Sequence, residues 1–170
     1  MIDIEDTEDT KVRNGYVLFW NGPFSNFDLV ENGIIYRGAK FPTSEHVFMW
    51  EKAQFFGDTG TANYILVHAK HPYEAKSAGR SVRGYDEAKW AAARFDIMLD
   101  ACRAKFTQSK YHRKELLKYG AYGNFVEASP YDGVWGIKLG IDHKYAANPK
   151  YWRGTNLLGL VLDKVYREIV

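Results

Sequence analysis

At 170 residues and 46% hydrophobic, the chain is long enough to fill one core and short for two. The formal charge of +2 hides an asymmetry: Asp3, Glu5, Asp6, Glu8 and Asp9 precede the first Lys or Arg, and setting these five aside leaves 16 acidic against 23 basic side chains, a body of +7. A single cysteine, Cys102, excludes an internal disulfide and a thiolate zinc cluster. With no basic-then-apolar leader and no run of about 18 apolar residues, a soluble cytoplasmic protein without a membrane span is expected.

The first thirteen positions read as an acidic, flexible tail and 14–170 as one domain. Residues 15–20 are β-branched and aromatic, and Ile34, Ile35 and Tyr36 form a second extended run beyond Asn32-Gly33. Together they predict a small hairpin or two edge strands. From Pro42 the pattern turns helical, with Thr43 or Ser44 as N-cap and a stop near Gly57. Asp58 or Thr59 caps a second helix through Ala62, Ile65, Leu66 and Ala69, and Pro72 opens a third, closed by Gly79. Asp86 caps the longest helix, from Glu87 to about residue 106, with Trp90, Phe95, Ile97, Met98, Ala101 and Cys102 spread around it. A shorter helix follows at 113–119, and a last one at about 156–168 carries Leu158, Val161, Leu162, Val165 and Ile169 in a stripe. The expected fold class is mainly α, a single multihelical domain with a small β part near the N-terminus. Between the last two helices, roughly thirty residues from Glu127 to Asn156 read as irregular, a length that in a small domain points to a binding wall.

The segment 44–56 holds the most informative pattern. At about 100° per residue, Glu45, Phe48, Met49, Lys52, Phe55 and Phe56 share one helix face. A carboxylate and an ammonium about 10 Å apart along that face are costly to bury without a partner or a task. The competing reading is that Glu45 complements the positive helix end while Lys52 lays its stem over the aromatic rings. Asp132 beside Gly133 reads first as a turn former, Asn156 as a helix cap, and Phe24, Ser25, Asn26 and Phe27 as a turn with aromatic flanks. The five histidines lack metal spacing: His68 and His71 are three apart with no acidic or Cys ligand pattern beside them. No glycine-rich phosphate loop is present, and Ser44 and His46, two apart on a helix, do not face each other as a serine triad would require. Carboxylates, one lysine and several tryptophans do suit cleavage of a glycosidic bond, where positive charge develops on the sugar ring. The lysine would orient an anion or attack an opened sugar aldehyde.

Ordered blocks extend this reading. Phe24-Ser25-Asn26-Phe27, Ser44-Glu45-His46 followed by Phe48-Met49-Trp50 and Lys52-Ala53, Gly79-Arg80, Ala104-Lys105-Phe106, Glu127-Ala128-Ser129-Pro130 with Asp132 and Trp135-Gly136, and Trp152 through Gly154 to Asn156-Leu157-Leu158-Gly159 closely resemble the YbiA-like proteins, also called the NADAR superfamily. The resemblance runs from about residue 19 to 167. It implies N-glycosidase chemistry without a metal or other cofactor, on one of two substrate classes. These are phosphorylated ribosylamino-pyrimidines early in riboflavin synthesis, and ADP-ribose attached to guanine bases of nucleic acid. A binding module that recognises ADP-ribose or a nucleotide without cleaving it is the non-enzymatic alternative. Carried over by position, the resemblance implies Glu45, Lys52 and Asp132 as catalytic residues and Asn26, Arg80, Trp135, Gly136 and Asn156 as substrate-binding ones. The Asp132 to Trp135 loop is then expected to close over a sugar lying on the Glu45 and Lys52 face. One departure is Lys138, where many members carry glycine. Oligomeric state is not legible.

Overall fold

Short turns and side-chain caps divide the chain into the elements of the computed structural model, which describes residues 4–170; Met1, Ile2 and Asp3, the start of the expected acidic tail, lie outside the described residues. In chain order these are β1 (Thr10–Arg13), β2 (Tyr16–Phe19), β3 (Ile34–Tyr36), β4 (Ala39–Phe41), α1 (Ser44–Phe55), α2 (Thr59–Val67), α3 (Pro72–Arg80), α4 (Glu87–Gln108), α5 (Lys110–Gly120), β5 (Asn124–Glu127), a single 3-10 turn (Pro149–Tyr151) and α6 (Leu157–Ile169). The architecture is mainly helical with small sheets, as the periodicity predicts. Two units are distinguishable, one formed by Asn26–Lys110 and one by the residues up to Ser25 together with Tyr111–Val170.

The expected small β part near the N-terminus is present, with its own pairing. The two runs at 15–20 and 34–36 do not form a hairpin with one another; each pairs within its own unit. β2 lies antiparallel to β1 and parallel to β5, whereas β3 pairs with β4. The tight turns are Asn14-Gly15 and Arg37-Gly38, in which both residues have positive φ, the geometry that matches the twist of two-residue hairpins. Asn32-Gly33 instead closes a turn before β3, where the Gly33 N–H donates to the Val30 carbonyl at 2.8 Å. Part of the expected tail is therefore built into the sheet. β1 lies inside segment 1–13, and the Asp6 carboxylate pairs with Arg13, which holds it below the usual carboxylate range.

In the Asn26–Lys110 unit, α1 is central and packs against α2, α3, α4 and β4. Every residue from Ser44 to Glu51 is buried, so the helix is enclosed all round at its N-terminal half rather than along one stripe. Thr43 caps it: its hydroxyl accepts the His46 N–H at 3.2 Å and donates to His46 Nδ1 at 2.7 Å. His46 Nε2 then donates to the Ala69 carbonyl at 3.1 Å. Burial lowers the His46 pKa, consistent with a neutral ring that ties α1 to the end of α2.

In the other unit, α6 covers β5, and Phe24 sits among Phe19, Tyr119 and Phe125 at ring separations of 4.9–5.7 Å. Leu18, Val126, Ala128, Ile137, Leu139 and Ala146 form a second cluster. Gly159 lets α6 approach the strand: a Cβ there would stand 2.1 Å from the Phe125 carbonyl oxygen. On the same helix, the Asp163 carboxylate accepts the Phe125 N–H at 2.8 Å.

Candidate functional site

The residues singled out from sequence fall into two groups. Asn26, Glu45, Lys52 and Arg80 belong to the Asn26–Lys110 unit, while Asp132, Trp135, Gly136 and Asn156 belong to the other.

The first group is built on the start of α1. Asn26, 9% exposed, works as a connector: its carbonyl accepts the Glu45 N–H at 3.1 Å, and its Oδ1 accepts the Ser44 hydroxyl at 2.9 Å and the Cys102 thiol at 3.9 Å. Its Nδ2 donates to Met98 Sδ at 3.4 Å. Asn26 thus ties α4 to the first turn of α1 and fixes where Glu45 begins. Glu45 is 7% exposed in that turn, where the helix dipole favours a carboxylate. Two turns on, Lys52 is half-buried, with Nζ 4.8 Å from the Tyr85 ring centroid and 5.4 Å from that of Trp90. Burial pulls the Lys52 pKa down; Glu45 and Glu87 oppose this, and Arg80 adds to it. Glu45, Lys52 and Arg80 therefore share one electrostatic neighbourhood: a carboxylate, an amine biased toward its neutral form, and a guanidinium exposed at the end of α3.

The second group is organised by the backbone. Asp132 Oδ1 accepts the N–H groups of Val134 and Trp135, both at 2.8 Å, and the Asp132 N–H donates to Ser129 Oγ at 3.0 Å. This is the turn-forming role, and it leaves Oδ2 without a hydrogen bond from the described residues. The carbonyls of Gly133, Val134, Trp135 and Gly136 accept in order from Thr155, Leu157, Leu158 and Asn156, at 3.0–3.1 Å. The long stretch that reads as irregular is thus a laced pair of segments. Gly154 permits the lacing, since a Cβ there would lie 2.3 Å from the Gly136 carbonyl oxygen. Gly136 is itself buried against Glu127, Ser129 and Asp132. Lys138 adopts φ 57°, the left-handed conformation that a glycine would take without strain.

Asn156 does not serve as a side-chain cap of α6. In the left-handed region at φ 51°, it turns its amide onto β5: Oδ1 accepts the Glu127 N–H at 2.9 Å and Nδ2 donates to the Phe125 carbonyl at 3.0 Å. The amide mimics a neighbouring strand.

Lys105 carries a signal that the sequence reading left unassigned. It is 0% exposed on α4, and burial brings its pKa down to about 8 against the pull of Cys102 and Asp28. Its spacing from Met98, Ala101 and Cys102 already put it on the inner stripe. A cleft of about 620 Å3, lined by residues including Phe56, Asp58, Thr61, Tyr64, Arg83 and Gly84, lies on the same unit. Asp58, lowered to about 2 by bonds from the Arg83 backbone and from Thr61, is a local cap there. Among the described residues no group of three or more His, Cys, Asp or Glu is placed to hold a metal ion, and no helix is long and apolar enough to cross a membrane.

The mainly helical body with its small sheets sets the architectural class. The chain belongs to the NADAR domain family, whose model matches residues 10–170. It is 37% identical over 133 residues to the protein irg-1 of Caenorhabditis elegans, covering 76% of this chain and 61% of that protein. It is 36% identical over 130 residues to N-glycosidase R617 of Acanthamoeba polyphaga mimivirus, covering 76% of this chain and 75% of the viral protein. Among solved structures, the NMR structure of the E. coli protein YbiA matches with a TM-score of 0.73 and 28% identity over 95% of this chain and 89% of that one.

Proposed function

We propose that the protein is an N-glycosidase that separates a ribose C1 from an amine nitrogen, with a phosphorylated ribosylamino-pyrimidine as substrate. The observation that carries this reading is the Glu45–Lys52–Arg80 neighbourhood: burial lowers the Lys52 pKa, the direction that eases formation of a nucleophilic amine, and a buried carboxylate stands on the same helix. The similarity to an enzyme named N-glycosidase R617 supports the same class.

In the proposed sequence, the Glu45 carboxylate takes the proton of the glycosidic N–H and delivers it to the ribose ring oxygen as the C1–O bond breaks, leaving C1 double-bonded to the base nitrogen. The Lys52 amine adds to C1, and expulsion of the base as its free amine leaves C1 bonded to Lys52 as an imine. Water adds to that imine, the lysine leaves as amine, and the sugar departs as an aldehyde. The net reaction consumes one water and no redox equivalent. Arg80 is assigned to the substrate phosphate. Asp132, Trp135, Gly136 and Asn156 keep their expected parts as hypotheses, with Asp132 Oδ2 as the group available for a proton or a hydroxyl. The single buried cysteine supports a reducing, cytoplasmic setting.

A product assay across phosphorylated ribosylamino-pyrimidines and guanine-ADP-ribosylated nucleic acid tests the reading, with Glu45→Gln as control. Release of free base from the small molecule, with turnover falling about 100-fold or more in Glu45→Gln, is the expected result. Release of ADP-ribose only from nucleic acid, falling steeply with salt, transfers the assignment to the alternative substrate. Binding with no product in any mixture would mean a non-catalytic module. Borohydride added during turnover should fix the sugar on Lys52; an unmodified Lys52 at full turnover rules out the imine.

A further inference from the structure

Two aromatic rings face the Lys52 amine. Its Nζ lies over Tyr85 and Trp90; Phe56 packs on those rings at 5.4 and 6.2 Å, and Phe48 and Phe55 pack on Trp90 at 5.3 and 6.1 Å. Trp90 is 6% exposed and forms a fixed wall near the start of α4, whereas Tyr85, 45% exposed in the turn before it, is the wall that meets solvent. The Tyr85 hydroxyl donates to Glu87, which anchors the far end of the ring.

We propose that Tyr85 and Trp90 are positioning residues for Lys52, an aromatic cradle whose ring faces hold the ammonium at one place between turnovers. The proposal rests on the reading of Lys52 as the reactive amine. A lysine side chain has four rotatable bonds, and an unrestrained amine would meet a bound sugar carbon only in a minor fraction of its conformations. Ring faces carry negative quadrupole density and attract the charged form. Burial acts in the opposite sense, so the cradle holds the amine in place and keeps part of its proton affinity. The charged groups around it come from each neighbouring helix: Glu45 on α1 and Glu87 on α4 favour the ammonium, and Arg80 on α3 disfavours it. The competing account is an aliphatic lysine stem that only covers greasy surface. In that account any apolar side chain at position 85 serves as well as a ring.

Competitive acetylation separates the two accounts. The folded, substrate-free protein is labelled with trace acetic anhydride from about pH 7 to about pH 11, and the labelling of Lys52 is read by mass spectrometry. Tyr85→Leu keeps the apolar bulk and loses the ring, and should lower the Lys52 midpoint by about half a pH unit. Tyr85→Phe keeps the ring and should sit closer to the parent than Tyr85→Leu does. Trp90→Leu, on the second face, should lower the midpoint in the same direction. In turnover, Tyr85→Leu should reduce kcat several-fold with little change in KM. Equal midpoints in the Leu and Phe variants, or a midpoint raised in Tyr85→Leu, overturns the cradle. Because labelling needs no substrate, a lowered midpoint in a protein that cleaves neither a ribosylamino-pyrimidine nor ADP-ribosylated guanine retains the cradle and discards the glycosidase reading.

Discussion

Asn156 can be read in two ways, and its atoms choose between them. From its place before a helix it is a cap, and by resemblance it is a substrate ligand. In the fold its amide is engaged with the backbone of Phe125 and Glu127. Asn156→Ala should therefore act on stability first: two backbone groups lose their partners, at about 1–3 kcal/mol each where buried. Chemical denaturation should show a midpoint shift of that origin; an unchanged midpoint with a raised KM would return Asn156 to the ligand role. Asp132 behaves similarly, since one carboxylate oxygen is committed to its own turn and the other is not. Charges on an apolar helix face are costly, so Glu45 and Lys52 stand out in the linear pattern. Tyr85 does not, because nothing in a linear pattern tells a ring over an amine from a ring in a surface turn. Lys105 lies between these cases: its inner-face spacing was readable, but its complete burial depends on neighbours far along the chain.

Among the elements, α1 shows most clearly how packing overrides pattern. Its periodicity predicts one buried face, yet its N-terminal half is enclosed on all sides because α2, α3, α4 and β4 surround it. The starts of α1, α2 and α4 were well predicted, since Thr43, Asp58 and Asp86 each accept a first-turn N–H, a local interaction that needs no tertiary context, whereas α5 begins at Lys110, three residues before the expected 113. Strand partners were not predicted, because pairing depends on which segments meet. The parallel partner of β2 is β5, more than a hundred residues away in the chain. That pairing is pinned from behind by α6, whose close approach depends on Gly159. Gly159→Ala should force the helix off the Phe125 carbonyl and cost about 2 kcal/mol or more. Thermal unfolding measures this; a melting temperature equal to the parent's would show that the strand can retreat without loss.

Taken as a molecule, the protein should show a pH dependence of stability that its composition does not announce. Burial on α6 pushes the Asp163 carboxyl up to about 6 from 3.8, only partly opposed by the Phe125 N–H and Arg167. A folded-state value above the unfolded one means the folded protein binds that proton more tightly. The associated stability is complete below pH 3.8 and is lost as pH rises through about 6. The full loss is on the order of 3 kcal/mol. Asp163→Asn cannot ionise and keeps an oxygen for the Phe125 N–H, so in urea unfolding it should gain on the parent across that interval. At about pH 7 it should be the more stable by about 1–3 kcal/mol. Two parallel stability curves would mean that Asp163 ionises in the fold as freely as in the unfolded chain.

What can be read from composition, caps and helical spacing is decided by neighbours in the chain: a mainly helical fold, the starts of its capped helices, and two charges that a greasy helix would not carry without cause. Turn residues, too, act locally, and Asn14-Gly15 was available to be read once β1 was not dismissed as tail. What required the folded chain is everything set by residues remote in sequence. The β2–β5 pairing, the use of the Asn156 amide as a strand mimic, the rings around Lys52 and the raised proton affinity of Asp163 each depend on which side chains are brought within a few ångströms of one another. No one-dimensional pattern encodes those separations.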